Sequence, residues 1–479
     1  MRLGPSNRCR GALASTLVAV ALVVGVASPA PAQLVPVVPN PTVTGPIPGV
    51  TPGDPSHNYP FFATDVDLAS RGYIEQEFFI EGMAAGAPYR SRIVVRRPTS
   101  PLAFNGTAVV EWYNVTNDYD SEADWFRAHE QFLRAGYVWM GVSAQSNGVN
   151  NAQYGLKIWS PARYGTLQIE NDRQSFDIYA QAIQAIRHPV GVDPIGGLAI
   201  QRVIATGASQ SAIYLAAYYN TLQAAHRLVD AFALIVWTLP VDTDVVRTPV
   251  LMSLSEPDVY EASGLAGEIP APRQPNTTLF RRWEVAGASH GDYDMFLARR
   301  PLQIRDLGID PGDNGGNQGC TFPLYSRIPF RYVMSAGYDA LVRWVTTGAP
   351  PPVLPDIQFS GNEIARDEHG NALGGIRLSQ HDVATAMNQG QNAGPGLCPI
   401  RGRYEPFDDA TLQTLYPTHG SYVDRVIAVT NDTLRAGVVL PPDASETIAE
   451  AKHAKVPPRL RRRPTRCGPR TTVRRSTAL

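Results

Sequence analysis

The feature that most constrains the fold of this chain is a short segment around Ser209. Residues 203–206 form an apolar, largely β-branched run, residues 207–211 read Gly-Ala-Ser-Gln-Ser, and an Ala-, Leu- and Tyr-rich helical pattern follows directly. A strand-to-helix turn of this kind holds its central serine in a strained conformation and needs small residues two positions before and after it. Gly207 and Ser211 meet this need, although glycine is more usual at the second position. The segment therefore predicts a nucleophilic serine, Ser209, at the tip of a tight turn.

The same turn predicts where a negatively charged oxygen would be held. The first N–H groups of an α-helix have no partner inside the helix, so the N–H of Gln210 is free to bind an oxyanion beside Ser209. A second N–H is expected from the loop after the strand at 107–112, near Tyr113 or Asn114. This loop is polar and aromatic enough to line a pocket, although a buried strand end would have the same composition.

Strand-like and helix-like runs alternate through most of the chain. Alternation of largely apolar strands with amphipathic helices indicates an α/β fold with a mostly parallel, doubly wound sheet and helices on both faces. The apolar runs predict strands at 91–97, 107–112, 137–143, 202–206, 231–237, 249–254 and 278–285, and the amphipathic runs predict helices at 122–135, 173–187 and 331–347.

A serine hydroxyl needs a base to take its proton and a carboxylate to orient that base. In a doubly wound hydrolase sheet the three residues follow in the order serine, acid, histidine. His290 fits the base, because it follows the last predicted strand in a loop of small residues, Ala-Gly-Ala-Ser-His-Gly. The other histidines lie in linker, turn, tail or helix contexts.

Two carboxylates follow the strand at 249–254. Asp258 lies at the spacing that is common for the acid in hydrolases of this architecture, and Glu256 lies two residues before it. The sequence favours Asp258 and leaves Glu256 as the alternative. The carboxylate that does not orient the histidine is expected to accept structural hydrogen bonds or to contact substrate.

The ends of the chain differ from its middle. Residues 1–32 contain three arginines, an apolar run and a final Ala-Pro-Ala, which predicts a signal peptide cleaved after Ala32 and a secreted or periplasmic protein. An uncleaved membrane anchor is the alternative, and no span is expected after cleavage. The predicted order after the signal peptide is a Pro-rich linker (33–55), the α/β domain (56–350), an accessory segment packed on that domain (351–445) and a basic, disordered tail (446–479).

The formal net charge of −1 hides an uneven distribution. Residues 33–450 carry 29 basic and 43 acidic residues, a balance of −14, whereas residues 451–479 carry ten basic residues and no acid. An acidic folded region argues against nucleic acid as a partner. The basic tail could bind an anionic surface, although Pro-interrupted basic tails are more often disordered.

Cys320 and Cys398 are the two cysteines left when Cys9 of the predicted signal peptide and Cys467 of the tail are set aside. In an exported protein such a pair is expected to form a disulfide, and two unpaired buried thiols are the alternative. Cys/His spacings typical of zinc sites, Gly-rich phosphate loops and dinucleotide fingerprints are absent from the sequence. We therefore expect neither a metal nor a cofactor.

Several short motifs follow one another along most of the chain: Glu-Trp-Tyr-Asn-Val-Thr (111–116), Gly-Val-Ser-Ala-Gln (141–145), Trp-Ser-Pro-Ala-Arg-Tyr-Gly (159–165), Gly-Ala-Ser-Gln-Ser (207–211), Glu-Pro-Asp-Val (256–259), Ala-Leu-Val-Arg-Trp-Val (340–345) and Gly-Gly-Ile-Arg-Leu (374–378). In this order they resemble the alpha/beta hydrolase domain-containing family of secreted bacterial proteins. The resemblance implies an α/β-hydrolase fold with Ser209 as nucleophile and His290 as base. Members of that family usually carry Glu-Thr-Asp where this chain has Glu-Pro-Asp, so the choice of acid stays open.

These observations predict a secreted serine hydrolase, with a carboxylic-ester hydrolase as the favoured activity. It would act on a small-molecule ester through an acyl-enzyme at Ser209. Transfer of the acyl group to an alcohol instead of water would use the same residues. A non-catalytic binding protein on a hydrolase scaffold is the alternative from another class, and the intact order of serine, acid and histidine disfavours it.

Overall fold

The computed structural model describes residues 38–261, 269–315 and 319–458. Within them, nine strands form one sheet: β1 (Thr42–Thr44), β2 (Tyr73–Ala84), β3 (Ala87–Pro98), β4 (Thr107–Trp112), β5 (Val138–Val142), β6 (Arg202–Ala208), β7 (Ala231–Ile235), β8 (Val250–Leu254) and β9 (Phe280–Glu284). Their order across the sheet is β1-β2-β3-β5-β4-β6-β7-β8-β9. Two short ladders lie in the accessory segment, β10 (Phe359–Ser360) with β11 (Glu363–Ile364) and β12 (Ala386–Gln389) with β13 (Arg403–Pro406).

The sheet is mostly parallel, as predicted. Strands β4 to β9 pair in parallel, whereas β1, β2 and β3 add an antiparallel edge. Ala85 and Gly86, both with positive φ, form the two-residue turn between β2 and β3. Since the carboxyl ends of the parallel strands lie along one edge, the loops after β6, β8 and β9 meet there.

The helices of the described residues connect these strands and cover both faces of the sheet. Thr206 of β6 contacts Asp124 (2.7 Å) and Tyr338 (2.8 Å), whereas Trp112 of β4 packs on Tyr179, with ring centroids 4.7 Å apart. Glu111, which precedes Trp112 in β4, pairs in register with Thr206, so the side chains of Thr206 and Trp112 point to opposite faces of the sheet. The helices that contact these two residues therefore lie on opposite faces. The bounds are α1 (Ala123–Arg134), α2 (Ser146–Asn150), α3 (Leu156–Trp159), α4 (Pro161–Tyr164), α5 (Ser175–Arg187), α6 (Gln210–Tyr218), α7 (Ala224–His226), α8 (Thr243–Val246), α9 (Tyr293–Leu302), α10 (Phe330–Thr347), α11 (Ser379–Asp382), α12 (Asp409–Leu415), α13 (His419–Arg435) and α14 (Pro441–His453).

The accessory segment contacts the sheet at the loop after β9. Ile376 donates its N–H to the carbonyl of Glu284 (2.7 Å) and accepts from the N–H of Ala286 (3.0 Å), which continues the sheet by one parallel bridge. At Gly390 a Cβ would lie 2.2 Å from the carbonyl oxygen of Ala288, so only glycine allows this approach of the two backbones. The segment therefore lies directly against the loop that carries the predicted base.

Part of the predicted linker belongs to the sheet. Thr42–Thr44 forms β1, which pairs with the outer edge of β2, and the N–H of Ile47 donates to the carbonyl of Glu77 at 2.8 Å. The prolines at 41 and 46 flank this strand and have no N–H to donate, which keeps it to three residues at an edge. The prediction of a plain linker over 33–55 is therefore wrong for residues 42–47.

The predicted tail begins too early. The helix α14 (Pro441–His453) runs past residue 446 and buries Ala444, Thr447 and Ala451. An ion pair between Asp443 and Arg134 of α1 (2.7 Å) ties its first turn to the α/β domain. Residues 446–453 are thus helical rather than a disordered tail, because small apolar residues repeat at helical spacing among the charged ones. The predicted signal peptide, residues 1–32, and the tail from residue 459 onward lie outside the described residues.

Along the described part of the chain, each helix is too short or too polar to cross a membrane.

Candidate active site

Ser209 lies at the tip of the turn between β6 and α6. Its backbone adopts φ 59° and ψ −122°, a conformation that residues other than glycine rarely take. A Cβ on Gly207 would lie 3.0 Å from Leu215 Cδ1 and 3.1 Å from the backbone of Ser211, so the turn leaves little room for a side chain there. The N–H of Ser209 donates to the carbonyl of Ile235 (2.9 Å), which fixes the tip of the turn against β7.

Ser211 has its own function in this turn. Its hydroxyl accepts a hydrogen bond from the N–H of Ala208 (3.0 Å) and donates one to the carbonyl of Ala208 (2.8 Å). Ser211 is fully buried, so both bonds are shielded from water. Serine in place of the more usual glycine therefore adds two hydrogen bonds that hold the strained turn together.

His290 and Asp258 form a hydrogen-bonded pair, with 2.6 Å between Nδ1 and Oδ1. Each residue is 9% exposed. The other oxygen of Asp258 accepts from the N–H of Ser255 (3.1 Å) and from its hydroxyl, because the two residues form the capping box of a short helix, Glu256–Val259. The side chains of Ser209 and His290 line one cavity of about 90 Å³. The structure thus places Ser209 in one cavity with a histidine that is hydrogen-bonded to Asp258.

Glu256 lies near the pair but does not contact His290. Its carboxylate is fully buried and accepts hydrogen bonds from the N–H groups of Gly287 (2.7 Å) and Gly390 (2.9 Å) and from Arg366 (3.0 Å). Gly287 belongs to the loop of His290, whereas Gly390 and Arg366 belong to the accessory segment. Of the two carboxylates left open by the sequence, Asp258 contacts the histidine and Glu256 joins the two parts of the molecule.

Arg127 of α1 holds the main chain of the histidine loop. Its Nη2 donates to the carbonyl of His290 (2.6 Å), and its Nε pairs with the carboxylate of Asp292, which caps the first turn of α9. Burial lowers the pKa of Arg127, but the charge and hydrogen bond of Asp292, together with the charges of Asp124 and Asp258, raise it overall, so the guanidinium stays protonated. Sequence reasoning missed this residue; an arginine amid the apolar residues of α1 was the available signal.

The predicted oxyanion contacts need a correction. The N–H of Gln210 opens α6 and has no partner inside that helix, as expected. The N–H of Tyr113 donates to the carbonyl of Val142 (3.2 Å), and the N–H of Asn114 donates to the carbonyl of Ser121 (3.0 Å). Neither is free to hold an oxyanion, because a strand and a bridge engage them. The next N–H in the loop, that of Val115, makes only a long 3.4 Å bond to the side chain of Gln210.

Asn114 still belongs to the site through its side chain. Its Nδ2 donates to the carbonyl of Ala208 at 2.9 Å, and the residue lines the cavity. Tyr113 instead is buried, with its ring 5.4 Å from the guanidinium carbon of Arg92. The loop after β4 is thus joined to the serine turn by an asparagine side chain, whereas the tyrosine packs in the core.

The disulfide predicted between Cys320 and Cys398 is present and confirms that pairing. Cys398 opens a short helix, Cys398–Ile400, and the carbonyl of Ile400 accepts the N–H of Gly291 (3.1 Å). The disulfide therefore holds the accessory segment where it forms one wall of the cavity. Among the residues that the structure describes, no group of three or more His, Cys, Asp or Glu side chains is placed to hold a metal ion.

The chain matches a known family model and is more distantly similar to several solved structures. Residues 43–449 match the family model described as an alpha/beta hydrolase domain. No curated protein matches the sequence. Among solved structures, a prolyl endopeptidase is similar at 15% identity and a TM-score of 0.29, and the match covers 51% of this chain and 39% of the endopeptidase chain. The esterase Est22 is similar at 11% identity and a TM-score of 0.27, and the match covers 40% of this chain and 67% of Est22. Esterase 2 of Thermogutta terrifontis is similar at 15% identity and a TM-score of 0.23, and the match covers 36% of this chain and 69% of that esterase.

Proposed function

The chain belongs to the alpha/beta hydrolase domain family, and from this premise we propose that it is a serine hydrolase that cleaves small carboxylic esters. One observation carries the proposal: Ser209, at positive φ, shares a cavity with a histidine that is hydrogen-bonded to a buried aspartate. A residue kept in a strained conformation at the edge of a cavity is typical of a catalytic nucleophile.

In the proposed reaction, Ser209 Oγ attacks the ester carbonyl while His290 takes its proton. Asp258 holds Nδ1 of His290, which leaves Nε2 to exchange the proton and stabilises the imidazolium. The N–H of Gln210, at the start of α6, binds the oxyanion. The tetrahedral intermediate then expels the alcohol, which receives the proton from His290. Water, activated by the same histidine, attacks the acyl-enzyme, and the acid leaves as Ser209 regains its proton.

The dimensions of the cavity support a small ester rather than a polypeptide. Its volume of about 90 Å³ is well below the roughly 300–1,000 Å³ of sites that enclose drug-sized ligands. Apolar side chains from the accessory segment, Leu397 and Ile400, form part of the wall. A short acyl or alcohol group fits such a space, whereas an extended peptide needs an open groove.

The test is covalent labelling and turnover in matched variants. We expect a fluorophosphonate to label Ser209 in the wild-type protein and to leave Ser209→Ala unlabelled. The same substitution should lower kcat for short-chain esters by about 10⁶-fold, the scale seen when a serine nucleophile is removed. Ser70→Ala is the control, because it removes an exposed hydroxyl that lies outside the lining of the cavity. Hydrolysis that persists in Ser209→Ala, or labelling at another residue, would overturn the proposal.

A further inference from the structure

The cavity beside Ser209 is positively charged. Among the described residues its lining includes Arg127, Arg299 and Arg401, and it includes neither aspartate nor glutamate. The rest of the folded region is acidic, with a balance of −14 over residues 33–450. A concentration of arginines at one cavity in an acidic protein points to a negatively charged ligand.

Two of these arginines are not used by the fold. Arg127 is occupied by Asp292 and by the carbonyl of His290. In contrast, Arg299 and Arg401 have no ion-pair partner in the described part of the chain. Nε of Arg299 and Nη1 of Arg401 are buried and lack a hydrogen-bond partner there. A buried guanidinium N–H without an acceptor costs free energy, so these atoms are suited to a ligand that supplies one.

The two side chains reach the cavity from different parts of the molecule. Arg299 lies on α9, two turns after the loop of His290. Arg401 follows the short helix that begins at Cys398, and its Cγ lies 4.0 Å from the position that a Cβ on Gly291 would take. One arginine therefore comes from the α/β domain and the other from the accessory segment, and both line the cavity that Ser209 shares with His290.

We propose that the ester cleaved at Ser209 carries a carboxylate, which Arg299 and Arg401 bind. Guanidinium groups match the geometry of a carboxylate and form strong, charge-assisted hydrogen bonds with it. The small volume of the cavity places that carboxylate a few bonds from the scissile carbonyl. The inference rests on the proposed function of Ser209 and adds the class of its substrate.

Protection of Ser209 from a neutral reagent tests this binding directly. Wild-type protein is treated with diethyl p-nitrophenyl phosphate in the presence of succinate or of succinamide, which has the same shape without charge. At constant ionic strength, we expect succinate to slow modification of Ser209 at concentrations at least about 10-fold lower than succinamide, because it forms charged hydrogen bonds. Monomethyl succinate should exceed methyl succinamate in kcat/KM by a similar factor.

The variants identify the residues responsible. Arg299→Gln and Arg401→Gln should each reduce the preference for succinate over succinamide by about 10-fold or more, and Arg299→Lys and Arg401→Lys should restore part of it. Arg343→Gln is the charge-matched control, because Arg343 is 60% exposed and lies outside the cavity lining. It should keep the wild-type preference.

Three results separate this inference from the proposed function. If diethyl p-nitrophenyl phosphate modifies Ser209 but succinate and succinamide protect equally, the carboxylate proposal is wrong and the serine hydrolase stands. The same conclusion follows if Arg299→Gln and Arg401→Gln both keep the wild-type preference. If Ser209 is not modified at all, the proposed function itself fails.

Discussion

Two regions meet at the cavity, and they contribute different things. The α/β domain supplies Ser209, Asp258 and His290 from the loops after the parallel strands β6, β8 and β9. The accessory segment supplies Leu397, Ile400 and Arg401, which form a wall but lie outside the serine, histidine and aspartate set. Strand ends in a parallel sheet are rigid and close together, so they suit groups whose geometry must be fixed. A segment packed against them can change the wall of the cavity while the groups at the strand ends stay in place.

Asp258 and Glu256 lie within one turn of a short helix, but Asp258 contacts His290, whereas Glu256 binds the accessory segment. Asp258→Asn should lower kcat by about 10⁴-fold, because the amide no longer holds the productive tautomer of His290 or stabilises its imidazolium. Glu256→Gln should reduce kcat much less and instead lower the free energy of unfolding by about 1–3 kcal/mol, because a buried acceptor for Gly390 and Arg366 is weakened. Steady-state kinetics and urea denaturation on both variants measure the two effects.

The assignment of different roles to Asp258 and Glu256 is wrong if Glu256→Gln lowers kcat more than Asp258→Asn does. A large loss of kcat in Glu256→Gln with unchanged stability would make Glu256 the residue that acts through His290. It would also mean that the tie between the regions contributes little. Asp258→Asn with wild-type stability and a 10⁴-fold loss of kcat is the result that assigns the acid to Asp258.

The sequence predicted the α/β domain well and the edges of the site poorly. The strands β4 to β9 are apolar and separated by helices, so their pattern and the serine turn between β6 and α6 were visible locally. The choice between Asp258 and Glu256 depended on two features. The capping box that orients Asp258 is local in the sequence, whereas the partners that occupy Glu256 in the accessory segment lie more than 100 residues away.

The failures have one physical cause. The strand β2 was not among the predicted strands, because its acidic residues interrupt the alternation of apolar and polar positions. Arginines of β3 neutralise these carboxylates, as Arg92 does for Glu77 (3.1 Å). The loop after β4 was predicted to offer the N–H of Tyr113 or Asn114, but long-range partners engage both. The arginines at 299 and 401 line a cavity only after two distant segments meet. Each of these features depends on tertiary contacts, which a single sequence does not display.

The disulfide provides a second way to separate the regions. In the double variant Cys320→Ser/Cys398→Ser, the free energy of unfolding should fall by about 2–5 kcal/mol, because the bond closes a loop over a sequence separation of 78 residues. Ser209 should still react with a fluorophosphonate in the folded protein, since its turn belongs to the α/β domain. The preference for succinate should weaken, because Cys398 positions Arg401.

Urea denaturation, labelling and peptide mapping of blocked thiols measure these outcomes. Cys467→Ser is the matched control, since it removes a thiol outside the described residues and should leave the unfolding midpoint unchanged. Free thiols at Cys320 and Cys398 in unreduced protein would contradict the pairing. A loss of labelling at Ser209 in folded double variant would show that the accessory segment also supports the nucleophile.

The smallest expected effect is a pH dependence of the free energy of unfolding that comes from a buried carboxylate of the α/β domain. Asp124 of α1 lies beneath the serine turn, where its Oδ2 accepts from Thr206 (2.7 Å) and its Oδ1 is buried without a partner. Burial raises the pKa of Asp124 from 3.8 to about 6, although the bond from Thr206 opposes the shift. The folded protein thus binds a proton more tightly than the unfolded chain, so the free energy of unfolding should fall as pH rises from about 4 to about 6.

Replacing Asp124 isolates that contribution. Asp124→Asn should flatten the fall in unfolding free energy between about pH 4 and pH 6, because the amide keeps an acceptor for Thr206 and carries no charge. Glu111 accepts a hydrogen bond from the N–H of Asp124 (2.8 Å). Burial, and then the charge of Asp124, raises the pKa of Glu111, so we expect Glu111 to give the unfolding free energy a residual slope at higher pH. Urea denaturation at several pH values measures the slope, with the exposed Asp424→Asn as control. Wild type and Asp124→Asn with the same slope would show that the carboxylate stays ionised when buried, and that the serine turn rests on a charged rather than a neutral group.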